Sequence, residues 1–339
     1  MSAILNALDL PNVWAAIIAF AVLAYVVLDG FDLGVGILFP LFEGKATRDE
    51  MMNSLAPVWD GNETWLVLGG GGLFAVFPLA YAIIMPALYP LVIAMLLALV
   101  FRGVAFEFRF RSNRSAFLWD WAFWVGSLVA AFAQGVMLGA LVQGIKVEGR
   151  AYAGGWLDWL TPFSLLTGFA LVCGYALLGA CWLIYKTEYA TQRRAFAMAK
   201  PLAPLVLLLI AAVSLWTPFL HADYWRLWFG WPQNLLLAPL PLACAALGLW
   251  LIKLLAEERE MAPFPVAQSL FALCYIGIGL SFFPYIVPRA VTIHAAAAPD
   301  TSLSFLLVGA SVLVPIILIY TAYAYWVFRG KVNASGGYH

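Results

Sequence analysis

The sequence predicts an all-α polytopic membrane protein with about nine transmembrane helices. Three observations carry that expectation. Hydrophobic residues make up 64% of the 339 and charged residues only 11%, whereas a soluble domain holds roughly 45–50% apolar and about 25% charged residues. Apolar runs of about 20 residues recur from end to end, each enough to cross a ~30 Å hydrocarbon core. The basic residues also alternate in density from one connection to the next, as they do across a membrane.

Taken in order, the spans fall at about 11–42, 59–77, 79–105, 116–143, 163–185, 202–220, 233–255, 266–288 and 302–328. The second and third share one apolar stretch over 64–105, broken by Pro78. A single helix of that length would reach about 60 Å at 1.5 Å per residue, so a tight hairpin at Phe77–Pro78 is expected. Nine spans put fourteen of the eighteen Lys and Arg residues on the odd connections and the C-terminus. The remaining four are Lys146, Arg150, Arg226 and Arg289. That bias places the N-terminus outside (periplasmic in a bacterial cytoplasmic membrane) and the C-terminus in the cytoplasm. The first basic residue is Lys45, so no basic n-region precedes the first span, which is expected to stay as an uncleaved helix.

Composition excludes several function classes. Net charge is zero, which implies no nucleic-acid partner. No connection is long enough for a soluble domain. Cys173, Cys181, Cys244 and Cys274 all sit in apolar runs without a CxxC pair, as buried inert thiols do. The three histidines, His221, His294 and His339, fall outside the spans. A bis-histidine haem within the bundle is therefore not expected, nor is any metal ligand set. Trp59, Trp65, Trp119, Trp156, Trp159, Trp225, Trp228 and Trp231 lie near span ends, where indoles favour the interface.

Acidic residues carry the functional signal. A carboxylate in a bilayer costs at least ~2.5–3.5 kcal/mol, so each needs a reason. Asp29 and Asp32 share a face of the first span at i, i+3, beside a Gly30/Gly34 GxxxG that admits a close neighbour. The first span offers them no basic partner. Asp60, Glu63 and Thr64 share a face of the second span; helix capping is the simpler reading of this group. Gly69 to Gly72 follow, suited to close packing or a bulky ligand rather than to phosphate. The third span ends with Arg102 toward the membrane and Glu107 among phenylalanines, either a proton-relaying carboxyl or an ordinary interfacial ion pair. Asp120 opens the fourth span, as an N-cap or as part of the site. With spans alternating in direction, Asp29, Asp32, Asp60, Glu63, Glu107 and Asp120 all converge on the cytoplasmic side. A proton or cation entry is expected there.

Asp29-Gly-Phe-Asp-Leu-Gly-Val-Gly36, Trp59-Asp-Gly-Asn-Glu-Thr-Trp65, the glycine run ending Phe77-Pro78, Phe101-Arg-Gly with Phe106-Glu-Phe-Arg109, and Val314-Pro-Ile-Ile-Leu-Ile-Tyr320 together resemble subunit II of the cytochrome bd quinol oxidases. The resemblance runs in order over nearly the whole chain. It implies two four-helix bundles plus one peripheral helix, divided here as 1–145, 146–300 and 301–339. It implies a partner, subunit I, of similar fold, carrying two b-type haems and one haem d, and no redox centre or catalytic residue in this chain. The complex would oxidise quinol on the outer side and reduce dioxygen to water with protons from the cytoplasm. Small single-span accessory subunits occur in the family, and a structural quinone in some members.

Carried onto this sequence, the resemblance makes Asp60 the leading proton-path residue, with Asp29, Asp32, Glu63, Arg102, Glu107 and Asp120 as partners in a hydrophilic cavity. Trp59, with Asp29 and Asp120, becomes a candidate lining for a quinone. Some relatives carry Asp at the position of Glu107 and Gln at that of Glu63. A short connection between spans six and seven makes the chain a candidate for the family's cyanide-insensitive branch. Two other classes fit the acids alone: a proton-coupled secondary transporter, or a purely structural oxidase partner.

Overall fold

In a computed structural model that describes residues 9–112 and 115–332, the chain is almost wholly helical. Helix α1 (Leu10–Leu38) is followed by a 3-10 turn (Phe39–Leu41) and a short helix α2 (Lys45–Leu55). Next come α3 (Trp59–Val76), α4 (Pro78–Arg111) and α5 (Ala116–Gln143). The second half holds α6 (Pro162–Lys186), α7 (Tyr189–Leu220), two short helices α8 (Ala222–Phe229) and α9 (Gln233–Leu237), α10 (Pro239–Ala256) and α11 (Pro263–Phe282). A single turn α12 (Ile293–Ala296) precedes the last long helix, α13 (Asp300–Val327).

Among the described residues eight helical segments are long and apolar enough to cross a membrane. The ninth predicted span, α3, is an 18-residue helix whose Asp60, Glu63 and five glycines lower its hydropathy. The break at Phe77–Pro78 is as expected: α3 ends at Val76 and α4 starts at Pro78, with Phe77 alone between them. Proline suits a first helical position because its missing N–H would be unpaired there anyway. Three spans have different limits from those expected. Helix α4 continues to Arg111, α7 already starts at Tyr189, and α11 stops at Phe282, before a small hairpin. The polar ends of α4 and α7 extend the helices beyond the apolar runs that marked them.

Two antiparallel hairpins link helices. Val147–Glu148 (β1) pairs with Ala151–Tyr152 (β2), Val147 opposite Tyr152. Tyr285–Val287 (β3) pairs with Val291–Thr292 (β4), with a register shift between Tyr285 and Val287.

Helix α1 runs through the middle, packed on α3, α5, α6, α11 and α13. From Asp29 to Gly36 every residue of α1 is buried, so no face of this stretch is free. Small residues make that possible. A Cβ on Gly34 would lie 1.8 Å from the Tyr175 carbonyl oxygen, and one on Gly179 would lie 2.3 Å from the Gly34 carbonyl carbon. The α1–α6 crossing is thus a backbone-to-backbone contact, the packing role expected of the GxxxG. The Gly69–Gly72 run behaves differently. Gly70 and Gly71 face open space, while Gly69 and Gly72 meet Val22 and Ile18 of α1. Cys173 and Cys181 are buried, Cys244 and Cys274 half-buried, and all four are free. Trp65 departs from the interfacial expectation: it is buried, edge-on to Phe20 at 5.7 Å.

Candidate functional site: two arginine-centred clusters at one end of the bundle

Antiparallel packing brings the C-terminal parts of α1 and α4 beside the first turns of α3 and α5. Four of the expected residues meet there. Arg102 on α4, fully buried, lies 3.0 Å from Asp29 and 3.6 Å from Asp32, both fully buried on α1. Glu63 on α3 reaches the same guanidinium at 3.1 Å, and its side chain is 27% exposed. The basic partner that α1 lacks therefore comes from α4, 70 residues further on. Burying charge costs several kcal/mol per ion unless it is closely paired. The pairing is only partial: neither Asp29 oxygen, nor Asp32 Oδ1, nor Arg102 Nε or Nη2 makes a well-formed hydrogen bond. Formally the cluster holds one cation and three carboxylates, so it is neutral only with two protons on the acids.

Asn62, which the sequence reading passed over, holds Asp32. Its amide donates to Asp32 Oδ2 at 2.8 Å and to the Leu28 carbonyl at 3.2 Å, and its own carbonyl accepts from the Tyr325 hydroxyl at 2.9 Å. Asn62 follows Gly61 in the quoted motif, so its type was visible; its partner, on α13, was not. The aromatic faces of Trp59 and Phe106 stack at 4.7 Å, and the Arg102 guanidinium lies over both, 5.8 and 5.7 Å from their centroids. Such cation–π contacts suit a desolvated arginine.

Asp120 belongs to a second cluster. It takes Arg109 at 2.5 Å and Arg48 at 2.9 Å, and Arg109 also holds Asp49 at 2.5 Å. The N-cap of α5 is Ser115, so the capping reading of Asp120 is replaced by these ion pairs. A cleft of about 380 Å³ opens here, lined by Lys45, Arg48, Asp49, Arg109 and Asp120 among others. Seven residues separate Arg102 from Arg109, about 10 Å along α4. Aromatic rings fill the gap: Phe106 meets Phe123 at 5.2 Å, Phe123 meets Phe39 at 5.0 Å, and Arg48 and Arg109 lie over Phe39.

Asp60 and Glu107 stand outside both clusters. Asp60 is exposed in the first turn of α3, whose N-cap is Val58 with no side-chain cap, so it is not the cap its position suggested. It lies one helical turn before Glu63. Glu107 is 63% exposed and pairs with Arg111 at 3.7 Å, the ordinary interfacial ion pair that the sequence allowed. Trp59, Asp29 and Asp120 do not converge on one cavity: Asp29 sits on Arg102, Asp120 on Arg109.

His221 contacts the Gln143 carbonyl at 2.7 Å and His294 contacts Asp9 at 3.1 Å, both away from the acid clusters. Among the described residues no three of His, Cys, Asp and Glu are placed to hold a metal ion. His339 lies outside the described residues, as does Arg114.

Known proteins share both the sequence and the fold. The chain is 31% identical over 358 aligned residues to the cytochrome bd-I ubiquinol oxidase subunit 2 of Escherichia coli K12, covering 95% of this chain and 94% of the relative. It is 28% identical to the cytochrome bd ubiquinol oxidase subunit 2 of Bacillus subtilis 168, covering 96% and 97%. A chain of the bd oxidase from Geobacillus thermodenitrificans superposes with a TM-score of 0.72 at 19% identity, over 95% of this chain and 99% of that one, and shares its fold. The family model for cytochrome bd terminal oxidase subunit II matches residues 10–328. With every residue from the start of α1 to the end of α13 inside that match, the chain belongs to the cytochrome bd terminal oxidase subunit II family, the respiratory quinol:oxygen oxidoreductases.

Proposed function

We propose that this subunit gives protons a route from the cytoplasm through Asp60 and Glu63 to the buried Asp29–Asp32–Arg102 cluster, for use in reducing dioxygen to water. One observation carries the reading. Glu63 is partly exposed yet touches a fully buried guanidinium, so it joins surface to interior. Asp60 stands one turn outward and the two aspartates lie inward, giving a graded series of carboxyls. A cluster with three acids on one cation can exchange a proton without creating a bare buried charge, and such intramembrane acids mark proton routes.

The N-terminus is periplasmic and the C-terminus cytoplasmic, in a bacterial cytoplasmic membrane, on the strength of the Lys and Arg bias. The partner is a haem-bearing subunit I, with two haems b and one haem d, in a heterodimer that single-span accessory subunits could join. Those haems, held by the partner, supply the electron transfer to dioxygen. Residues 1–145 and 146–300 form two four-helix bundles and 301–339 a peripheral helix and tail, of which 333–339 lie outside the described residues. The Trp59–Phe106 stack offers a surface for a quinone ring, but the separation of Asp29 from Asp120 gives no single cradle for its head group.

The test is quinol-driven oxygen uptake by the purified complex. Asp60→Asn and Glu63→Ala should each slow turnover roughly tenfold or more while haem content stays near normal. Wild-type uptake in both variants would sink the proton role. The dense ion pairing favours a second reading, in which these residues only hold the complex together. Full activity in every carboxyl variant that assembles would support it.

A further inference from the structure

A second set of polar side chains lies inside the bundle, next to Asp29 and outside the proposed route. Tyr175 on α6 donates its hydroxyl to the Gln134 side-chain carbonyl on α5 at 3.0 Å. The Gln134 amide donates in turn to the Tyr25 hydroxyl on α1 at 2.7 Å. Tyr25 and Tyr175 are buried, and Tyr25 stands one helical turn before Asp29, in electrostatic contact with it. The site is built for these groups. A Cβ on Gly30 would meet the Tyr175 ring at 2.7 Å, so the glycine after Asp29 is the notch that seats this ring. Phe271 stacks on Tyr175 at 6.0 Å and fixes its far face.

Within this series the Tyr25 hydroxyl hydrogen has no acceptor, and Asp29 beside it has acceptor capacity to spare. Tyr175 gives its only hydrogen to Gln134. Gln134 uses its carbonyl on Tyr175 and one of its two amide hydrogens on Tyr25. Tyr25 accepts, so its own hydrogen remains to be given. Beside it, neither Asp29 oxygen accepts a well-formed hydrogen bond, although Arg102 pairs with one of them. An amide in the middle makes the series a poor conductor of protons, since it cannot pass one on without tautomerising. It is a good orienting device for the same reason: every member has one role.

We propose that Tyr175 and Gln134 fix the Tyr25 hydroxyl so that it donates to Asp29, making Tyr25 a positioning residue for the carboxyl at the inner end of the cluster. Held by Tyr25 on one side and Arg102 on the other, Asp29 keeps one orientation as Glu63 and Asp32 exchange protons around the shared guanidinium. This inference rests on the proposed proton route for its effect on turnover. Its geometric content, a hydrogen bond from Tyr25 to Asp29, does not.

The test is a double-mutant cycle on the intact complex, read by quinol-driven oxygen uptake and by the midpoint of thermal unfolding. Tyr25→Phe keeps the ring and removes the donor; it should lower kcat about tenfold, the loss of one hydrogen bond to a charged group, with KM for quinol unchanged. Gln134→Leu should lower kcat in the same direction. In an Asp29→Asn background, Tyr25→Phe should cost little further rate or midpoint. Losses that simply add in both measures would overturn the proposal, as would wild-type rate and midpoint in Tyr25→Phe. If Asp29→Asn alone leaves uptake unchanged, the proton route fails, and the midpoint cycle still decides whether Tyr25 acts through Asp29.

Discussion

The Tyr325 hydroxyl donates to the Asn62 side chain at 2.9 Å, across 263 residues of chain. Through the Asn62 amide the contact reaches Asp32. Helix α13 is otherwise the least buried of the long helices, with 6% of its spanning window inside the protein. Its tie to the acid cluster is therefore a specific one, not a by-product of burial. Tyr325→Phe should cost about 1 kcal/mol, the worth of a single neutral hydrogen bond. The thermal midpoint should fall modestly, while Asn62→Leu should lower it more by also stripping Asp32 of its donor. Equal midpoints for both variants would refute the coupling.

Arg102 is the sole cation that touches Asp29 and Asp32 among the described residues. Arg102→Met should destabilise the complex by about 3–5 kcal/mol, because it strands buried carboxylates rather than removing a balanced pair. Adding Asp29→Asn and Asp32→Asn should recover part of that loss. Yield and thermal midpoint of the purified complex measure both. No recovery would mean that Arg102 stabilises through its contacts with Trp59 and Phe106 instead.

Much of this cluster was legible in the sequence, for a physical reason. Acids are costly in apolar helices, so Asp29, Asp32 and Glu63 stood out, and Arg102 stood one turn inside the basic end of its span. Eight of the spans followed from hydropathy and the break at Pro78 from proline geometry, while α3 was marked only by its place between them. What could not be read were the partners whose polarity is ordinary. Tyr25, Gln134, Tyr175 and Tyr325 look like common residues of membrane helices. Their roles come from contacts 41 to 263 residues apart, which leave no local pattern. The Arg48–Asp120 and Arg109–Asp49 pairs were hidden for another reason. The short helix α2, with buried Met51, Met52 and Leu55, carries Arg48 and Asp49 back under the bundle, where only a basic connection was expected.

Glycines of the same type should differ sharply in tolerance. Gly179→Ala places a methyl group where the Gly34 backbone lies, forcing α1 and α6 apart at a cost of about 1–3 kcal/mol or more. Gly70→Ala meets nothing within 4 Å and should be neutral or stabilising by up to about 1 kcal/mol through helix propensity. Unfolding midpoints of the two variants check this. A destabilising Gly70→Ala would show that the partner subunit covers that face.

The connection between α5 and α6 carries a pH-dependent tie. Lys146 lies 3.1 Å from Asp158 and holds its carboxyl below the ordinary value. A carboxyl lowered in the folded state adds stability that is present above the unfolded pKa and lost as pH falls through the folded one. Amide exchange at Ala153 and Gly155 should therefore accelerate in acid, below the usual carboxylate range. Asp158→Asn should remove that dependence. An unchanged acid response in the variant would place its origin elsewhere.

The ammonium of Lys186, at the end of α6, grips the carbonyls of Phe328 and Gly330, and the Val332 amide returns to the Lys186 carbonyl at 2.8 Å. More than 140 residues of chain lie between the two halves of this clasp. During synthesis, Lys186 is made well before α13, and α7, α10 and α11 emerge from the ribosome in between. Only then can the clasp close. Its formation is thus a late event in biogenesis, and it marks a chain whose last long helix has reached its seat.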